Sequence, residues 1–198
     1  MAYRYWFMAI VKPGETLEAI KAEPYKLNIS LWILFFFSLM YSFTAIILYS
    51  VKVLPAIEPW LPIAKERYYL YQTFWTIPWG LATATIMAGA AHIIAIVGRH
   101  RSDSFNFKNA MAVTAIAWVI PSFVFMWLPE TLVVPFYGGS PWPSWFEVLR
   151  LSVFAPVWQL ILMVVGMRET YAVSWIRGII IGLVAVALSF IMFLPFMR

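Results

Sequence analysis

The 198-residue sequence predicts an all-α integral membrane protein with five transmembrane helices, the N-terminus cytoplasmic and the C-terminus outside. Three observations carry that expectation. Hydrophobic residues make up 63% of the chain and charged residues only 12%, where a soluble domain carries roughly 25% charged. The apolar residues fall into five runs, each near the ~20 residues a helix needs to cross the hydrocarbon. The basic residues gather at the ends of those runs, with an excess on one side, which is the pattern that orients a membrane protein. The length, and the lack of a polar stretch long enough for a second core, argue for a single membrane domain over residues 1–198.

Residues 1–27 read as an interfacial N-terminal element. Pro13 stands where a helix begins, Leu17 and Ile20 follow at helical spacing among charges, and "YRYWF" at Tyr3–Phe7 supplies aromatics suited to the headgroup zone. The first span, about 29–51, is "ISLWILFFFSLMYSFTAIILYSV", free of charge. Lipid offers its backbone no hydrogen-bond partner, so it must be a helix. It starts far from the N-terminus and no small-residue cleavage site follows it, so no cleavable signal peptide is expected. The second span, about 71–97, carries Pro78 near one end, where a kink is tolerable. The third, about 110–128, and the fourth, about 148–167, contain Pro121 and Pro156. Between them Pro129–Glu147 should fold as a loop on the outer face, because Pro135, Pro141 and Pro143 interrupt any long helix there. The fifth span, about 173–197, is apolar apart from Arg177 near its beginning, which can snorkel to the interface.

With the N-terminus inside, the inner flanks hold Arg4, Lys12, Lys21, Lys26, Arg99, Arg101, Lys108, Arg168 and Arg177, and the outer flanks hold Lys52, Lys65, Arg67, Arg150 and Arg198. Nine against five of the fourteen basic residues sets the orientation. The net charge of +5 is scattered over span ends instead of lining one polar face, so it points to topology and membrane lipids and not to nucleic acid.

Candidate site residues are few. His92 is an ionisable group in an apolar run, which makes it a functional candidate by default. It lies six positions before Gly98, about 9 Å along a helix from the loop and so close to the interfacial zone. Gly80, Ala84 and Ala88 precede it at intervals of four and form a helix-packing stripe ending in the imidazole. Two roles stand open for His92: a packed, hydrogen-bonded residue, or a proton relay or ligand contact. Gln159 is the second intramembrane polar candidate, with His92 or a backbone carbonyl freed by Pro156 as its expected partner. Glu147 and Arg150, three apart, should pair on one helix face as a surface ion pair of little energetic weight. Arg99, His100, Arg101 and Lys108 form a basic group that could contact lipid headgroups or an acidic partner.

No catalytic residue, metal ligand set or cofactor is expected. The chain has no cysteine, and its two histidines stand eight positions apart, about 12 Å along a helix and too far to share one ion. It has no G-x-S-x-G, no G-x-x-x-x-G-K-[ST] and no G-x-G-x-x-G motif.

The order of several loose motifs resembles the Yip family, the Ypt-interacting proteins, in its prokaryotic-like branch. These motifs are "PGETLEAI" at Pro13–Ile20, "GRHRSDSFNFKNA" at Gly98–Ala110, Pro121 in the third span, and "PVWQLILMVVGMRETYAVSW" at Pro156–Trp175. The resemblance covers essentially the whole chain. It implies a five-helix membrane domain with a cytosolic N-terminus, and for this branch a prokaryotic cell membrane. Eukaryotic members are implicated in vesicle traffic, membrane shaping and binding of prenylated small GTPases. This chain lacks their long hydrophilic N-terminal region and their Asp-Leu-Tyr-Gly-Pro and Gly-Tyr signatures, so GTPase binding is not carried over. The expected role is therefore nonenzymatic membrane organisation, with lipids, other membrane proteins or a second copy as partners. The alternative is a small transporter or channel with a cavity near His92 and Gln159, since broken helices are where transporters place their sites.

Overall fold

The computed structural model describes residues 5, 8, 11–55, 62–97 and 106–194, which form helices and their connections with no strand among them. Helix α1 (Pro13–Ala22) begins with proline in its first turn, where the missing N–H costs nothing. Leu17 and Ile20 do form its apolar face, but they do not point into lipid. Both are almost completely buried in the main core, because α1 packs against the third and fourth spans. Of the aromatic group at Tyr3–Phe7, Tyr5 lies within the described residues and its hydroxyl donates to Glu23.

Five helices are long and apolar enough to cross a membrane. The first is α2 (Lys26–Ser50), and the second joins a 3-10 turn (Lys65–Arg67) to α3 (Tyr68–Ile96). The third span, Phe107–Tyr137, runs through α4 (Phe107–Ser122), a π turn (Phe123–Trp127), α5 (Leu128–Leu132) and α6 (Val134–Tyr137). The fourth, Ser144–Tyr171, runs through α7 (Ser144–Leu149), a second π turn (Arg150–Phe154) and α8 (Ala155–Tyr171). The fifth is α9 (Trp175–Phe193), capped by Ser174, whose hydroxyl accepts from the Arg177 amide at 3.3 Å.

The axle of the bundle is α4. Every residue from Asn109 to Ser122 is buried, and α1, α2, α3 and α8 all pack on it. Alanines at 110, 112, 115 and 117 keep its surface low on several sides, so that neighbouring backbones can come close. Around it α2 pairs with α3, α3 with α9, and α9 with α8.

The expected outer loop is largely helical. Pro129 and Pro135 fall in the first turns of α5 and α6 instead of breaking a helix, so the third span runs on to Tyr137. Gly138, at φ +67°, then turns the chain in the left-handed conformation that glycine adopts without strain. The fourth span accordingly starts at Ser144. The π turns lie beside prolines for a reason. Each is closed by an i→i−5 bond, Leu128 N–H to Phe123 O and Ala155 N–H to Arg150 O, immediately ahead of Pro129 and Pro156, whose missing N–H groups disturb the regular ladder.

Candidate functional site

At the entry end of the bundle, α2, α4 and α9 begin and α3 and α8 finish. Here His92 is half-buried, and its Nδ1 lies 2.8 Å from the hydroxyl of Tyr171, a completely buried residue at the end of α8. That hydroxyl lies 2.6 Å from the Asn106 carbonyl at the start of α4. A carbonyl cannot donate, so the single hydroxyl proton belongs to the Tyr171–Asn106 bond and His92 Nδ1 must be the donor to Tyr171. The neutral ring therefore carries its proton on Nδ1 and leaves Nε2 as the acceptor. We expect the 15N spectrum of the neutral ring to report an unprotonated Nε2, and Tyr171→Phe to abolish that tautomer preference. The opposite tautomer in the wild-type chain would break this proton assignment. The rings of Phe107 and Tyr171 stand edge-on to the imidazole, 6.1 and 5.8 Å between centroids.

The partner expected for Gln159 is thus different. His92 bonds Tyr171, while Gln159, buried in α8, meets Ser189 of α9 at 3.5 Å. Ser189 has one proton, and the Val186 carbonyl at 2.8 Å holds it better, so this tie is weak. The Arg177 guanidinium, near the start of α9, donates to the Val97 carbonyl at 3.1 Å and the Ala95 carbonyl at 3.4 Å, closing the C-terminus of α3. Gly80, Ala84 and Ala88 are buried. A side chain at Gly80 would strike Ser38 of α2, with Trp118 of α4 3.5 Å away, so Gly80 faces these two helices. Lys108 is exposed near the start of α4, while Arg99, His100 and Arg101 lie outside the described residues.

The opposite half holds two polar groupings, of which the sequence announces only the Glu147–Arg150 pair. Arg150 is only 4% exposed, not a surface residue. Its guanidinium donates to Glu147 at 3.1 Å and to the Phe125 carbonyl, and it lies over the Trp142 ring at 5.3 Å. Glu147 also accepts from the Ser140 hydroxyl. The second grouping joins α2 to the third span: the buried Tyr41 hydroxyl donates to buried Glu130, and Thr44 and Thr131 share a hydrogen bond at 2.6 Å. Tyr41→Phe should lower stability towards SDS unfolding by about 1 kcal/mol, the usual worth of an interhelical hydrogen bond in a membrane bundle. A loss below the error of the titration would mean that Glu130 finds an equal partner elsewhere.

Beside Tyr41 lies a cavity of about 50 Å³. Phe37, Ser38, Tyr41, Gln72, Thr76, Trp79, Gly80, Trp118, Ser122, Met126 and Phe193 line it. Neither His92 nor Gln159 is among the lining residues, so the cavity sits between α2, α3, α4 and α9 and not where the sequence suggested. The described residues contain no group of three or more His, Cys, Asp or Glu placed to hold a metal ion.

An all-helical bundle of five membrane-length spans, tied together by polar side chains near both ends and by small residues between, is the architecture of a polytopic integral membrane protein. Residues 8–197, nearly the whole chain, match the family model for the Yip1 domain, and the protein belongs to the Yip1 family. No curated protein and no solved structure matches the chain.

Proposed function

We propose that this protein is a nonenzymatic membrane scaffold of a prokaryotic cell membrane, with a cytoplasmic N-terminus, that organises the bilayer or holds other membrane components. One observation carries the reading. Polar side chains at both ends close onto neighbouring helices, as buried Tyr41 and Arg150 and half-buried His92 and Arg177 do, and among the described residues these four do not converge on a point where a substrate atom could react. Large apolar side chains instead cover the outside: Trp32, Phe36, Phe43, Phe74 and Trp75 are all more than half exposed, a surface suited to lipid or to partner spans. The excess of basic residues on one side supports the orientation, and the missing eukaryotic-branch signatures support the prokaryotic membrane.

The test is reconstitution of the purified chain into vesicles of defined lipid, with size and clustering followed by cryo-electron microscopy as the protein content rises. A graded change in vesicle size or clustering is the expected result. Unchanged vesicles, or turnover of a defined substrate by the purified protein without lipid, would overturn the reading. A transport role draws its support from the cavity beside Tyr41, where Ser38, Gln72, Thr76 and Ser122 bring polar groups into an aromatic wall. Solute or proton flux in the same vesicles, blocked by filling the cavity with Ser122→Phe, would favour it over the scaffold.

A further inference from the structure

The entry end of the bundle concentrates positive charge. Lys26 opens α2, Lys108 is the second residue of α4, and α1 brings Lys21 alongside, so that Lys21 and Lys108 are both charge neighbours of Lys26. Among the described residues the ion pairs are Lys12 with Glu15 and Arg150 with Glu147, which leaves these three lysines without a carboxylate partner. Glu23, the carboxylate just after α1, accepts from Tyr5. Lys21 donates to the Glu169 carbonyl at 2.7 Å. Lys26 donates to the Lys21 carbonyl at 2.6 Å and to Asn109 Oδ1 at 2.9 Å, which holds its ammonium in place with one N–H in reserve. Lys108 is exposed, and its ammonium makes no hydrogen bond among the described residues. The first turns of α2 and α4 add the partial positive charge of helix N-termini to the same place.

We infer that Lys26 and Lys108, with Lys21 behind them, form a binding site for the phosphate of an anionic lipid headgroup. Depth selects the lipid. Both lysines sit within the first two residues of membrane-length helices, at the level where headgroup phosphates lie and an aqueous anion must compete with them. Donor chemistry selects the phosphate, since ammonium groups with unused N–H atoms suit an oxyanion as point charges. The site deepens the scaffold reading, on which it rests for its place in a bilayer, by naming the lipid class the scaffold holds.

The test is native mass spectrometry of the full chain in detergent, titrated with dioleoyl phosphatidylglycerol or dioleoyl phosphatidylcholine. Two lysines near an anionic group, each worth about fivefold, set an expected preference for phosphatidylglycerol of about twenty-fivefold. Lys26→Gln with Lys108→Gln should bring the ratio close to one. The arginine pair, Lys26→Arg with Lys108→Arg, should keep it, as should Lys52→Gln with Lys65→Gln at the opposite end. Lys108→Gln alone changes an exposed side chain that the fold does not use, and should cost about fivefold. Equal affinity for the two lipids in the wild-type chain, or a preference that survives the double glutamine variant, would overturn the site. Inorganic phosphate should leave the bound lipid in place; displacement by it would overturn the lipid assignment in favour of a free-phosphate site. Vesicles that stay unchanged while the lipid preference persists would overturn the scaffold reading alone.

Discussion

Replacing Arg150 by methionine is expected to lower the free energy of unfolding, read by SDS titration in mixed micelles, by about 3 kcal/mol. The reason begins at Pro129. In an α-helix the Phe125 carbonyl would accept from residue 129, but proline has no N–H, so a half-buried acceptor in the third span is left to find a donor elsewhere. The Arg150 guanidinium of the fourth span supplies it, while also holding Glu147 at 3.1 Å and resting on Trp142. Methionine fills similar space without any donor. The carbonyl then loses a charge-assisted bond, Glu147 loses its countercharge, and the aromatic contact loses its cation. Arg150→Lys should recover less than half of the loss, because a single ammonium cannot span two acceptors on different helices as the fork does. Glu147→Gln should cost well under half as much as Arg150→Met, since a quarter of the Glu147 side chain is exposed and screening weakens the pair. A loss below about 0.5 kcal/mol for Arg150→Met would mean that the two spans hold together without this tie.

The same residue marks the limit of what the sequence makes legible. Hydropathy locates all five spans, since a run such as "ISLWILFFFSLMYSFTAIILYSV" has no alternative to a membrane helix. It says little about which face of each helix turns inward, because a helix apolar all round has no moment to read. Small residues offer another cue: Gly80, Ala84 and Ala88, at intervals of four, are all buried, and a side chain at Gly80 would meet Ser38 of α2 and Trp118 of α4. Arg150, by contrast, looks like a flank charge until Pro129 and the Phe125 carbonyl are brought beside it. Glu130 follows a proline in what reads as a loop, and its partner Tyr41 is 89 positions away. A proline at a first-turn position and a proline that breaks a helix carry the same letter, and only the neighbouring backbone distinguishes them. The Tyr171 partner of His92 escaped for a similar reason. Tyrosine at a span end is so common an interfacial residue that nothing in "MRETYAVSW" distinguishes one folded inward.

Gly166→Ala is expected to cost about 2 kcal/mol, although it adds one methyl group to a helix and should favour helix formation by propensity alone. The new Cβ would lie 2.5 Å from Cγ1 of Val113 and 3.2 Å from Cδ1 of Leu17. Val113 is fully buried in α4, and a β-branched side chain in a helix has one strongly preferred rotamer, so it cannot swing aside. Helix α8 must draw back from α4, and α1, whose Leu17 rests on the same seat, must follow. The contact can be isolated by a double-mutant cycle. Val113→Ala alone should also destabilise, by about 2 kcal/mol, through the space it leaves. Combined with Gly166→Ala, it supplies the room that the new methyl needs, so the double variant should be more stable than the summed losses predict by at least about 1 kcal/mol. Tryptic cleavage after Lys21 reports α1 separately: it should quicken in Gly166→Ala and slow again in the double variant. Additive losses with unchanged cleavage would remove Gly166 as the seat of α1. Otherwise the result has a consequence at the entry end, because the docking that buries Leu17 is also what carries Lys21 to the Glu169 carbonyl and beside Lys26. A variant that frees α1 should then weaken the preference for phosphatidylglycerol without touching a single charge.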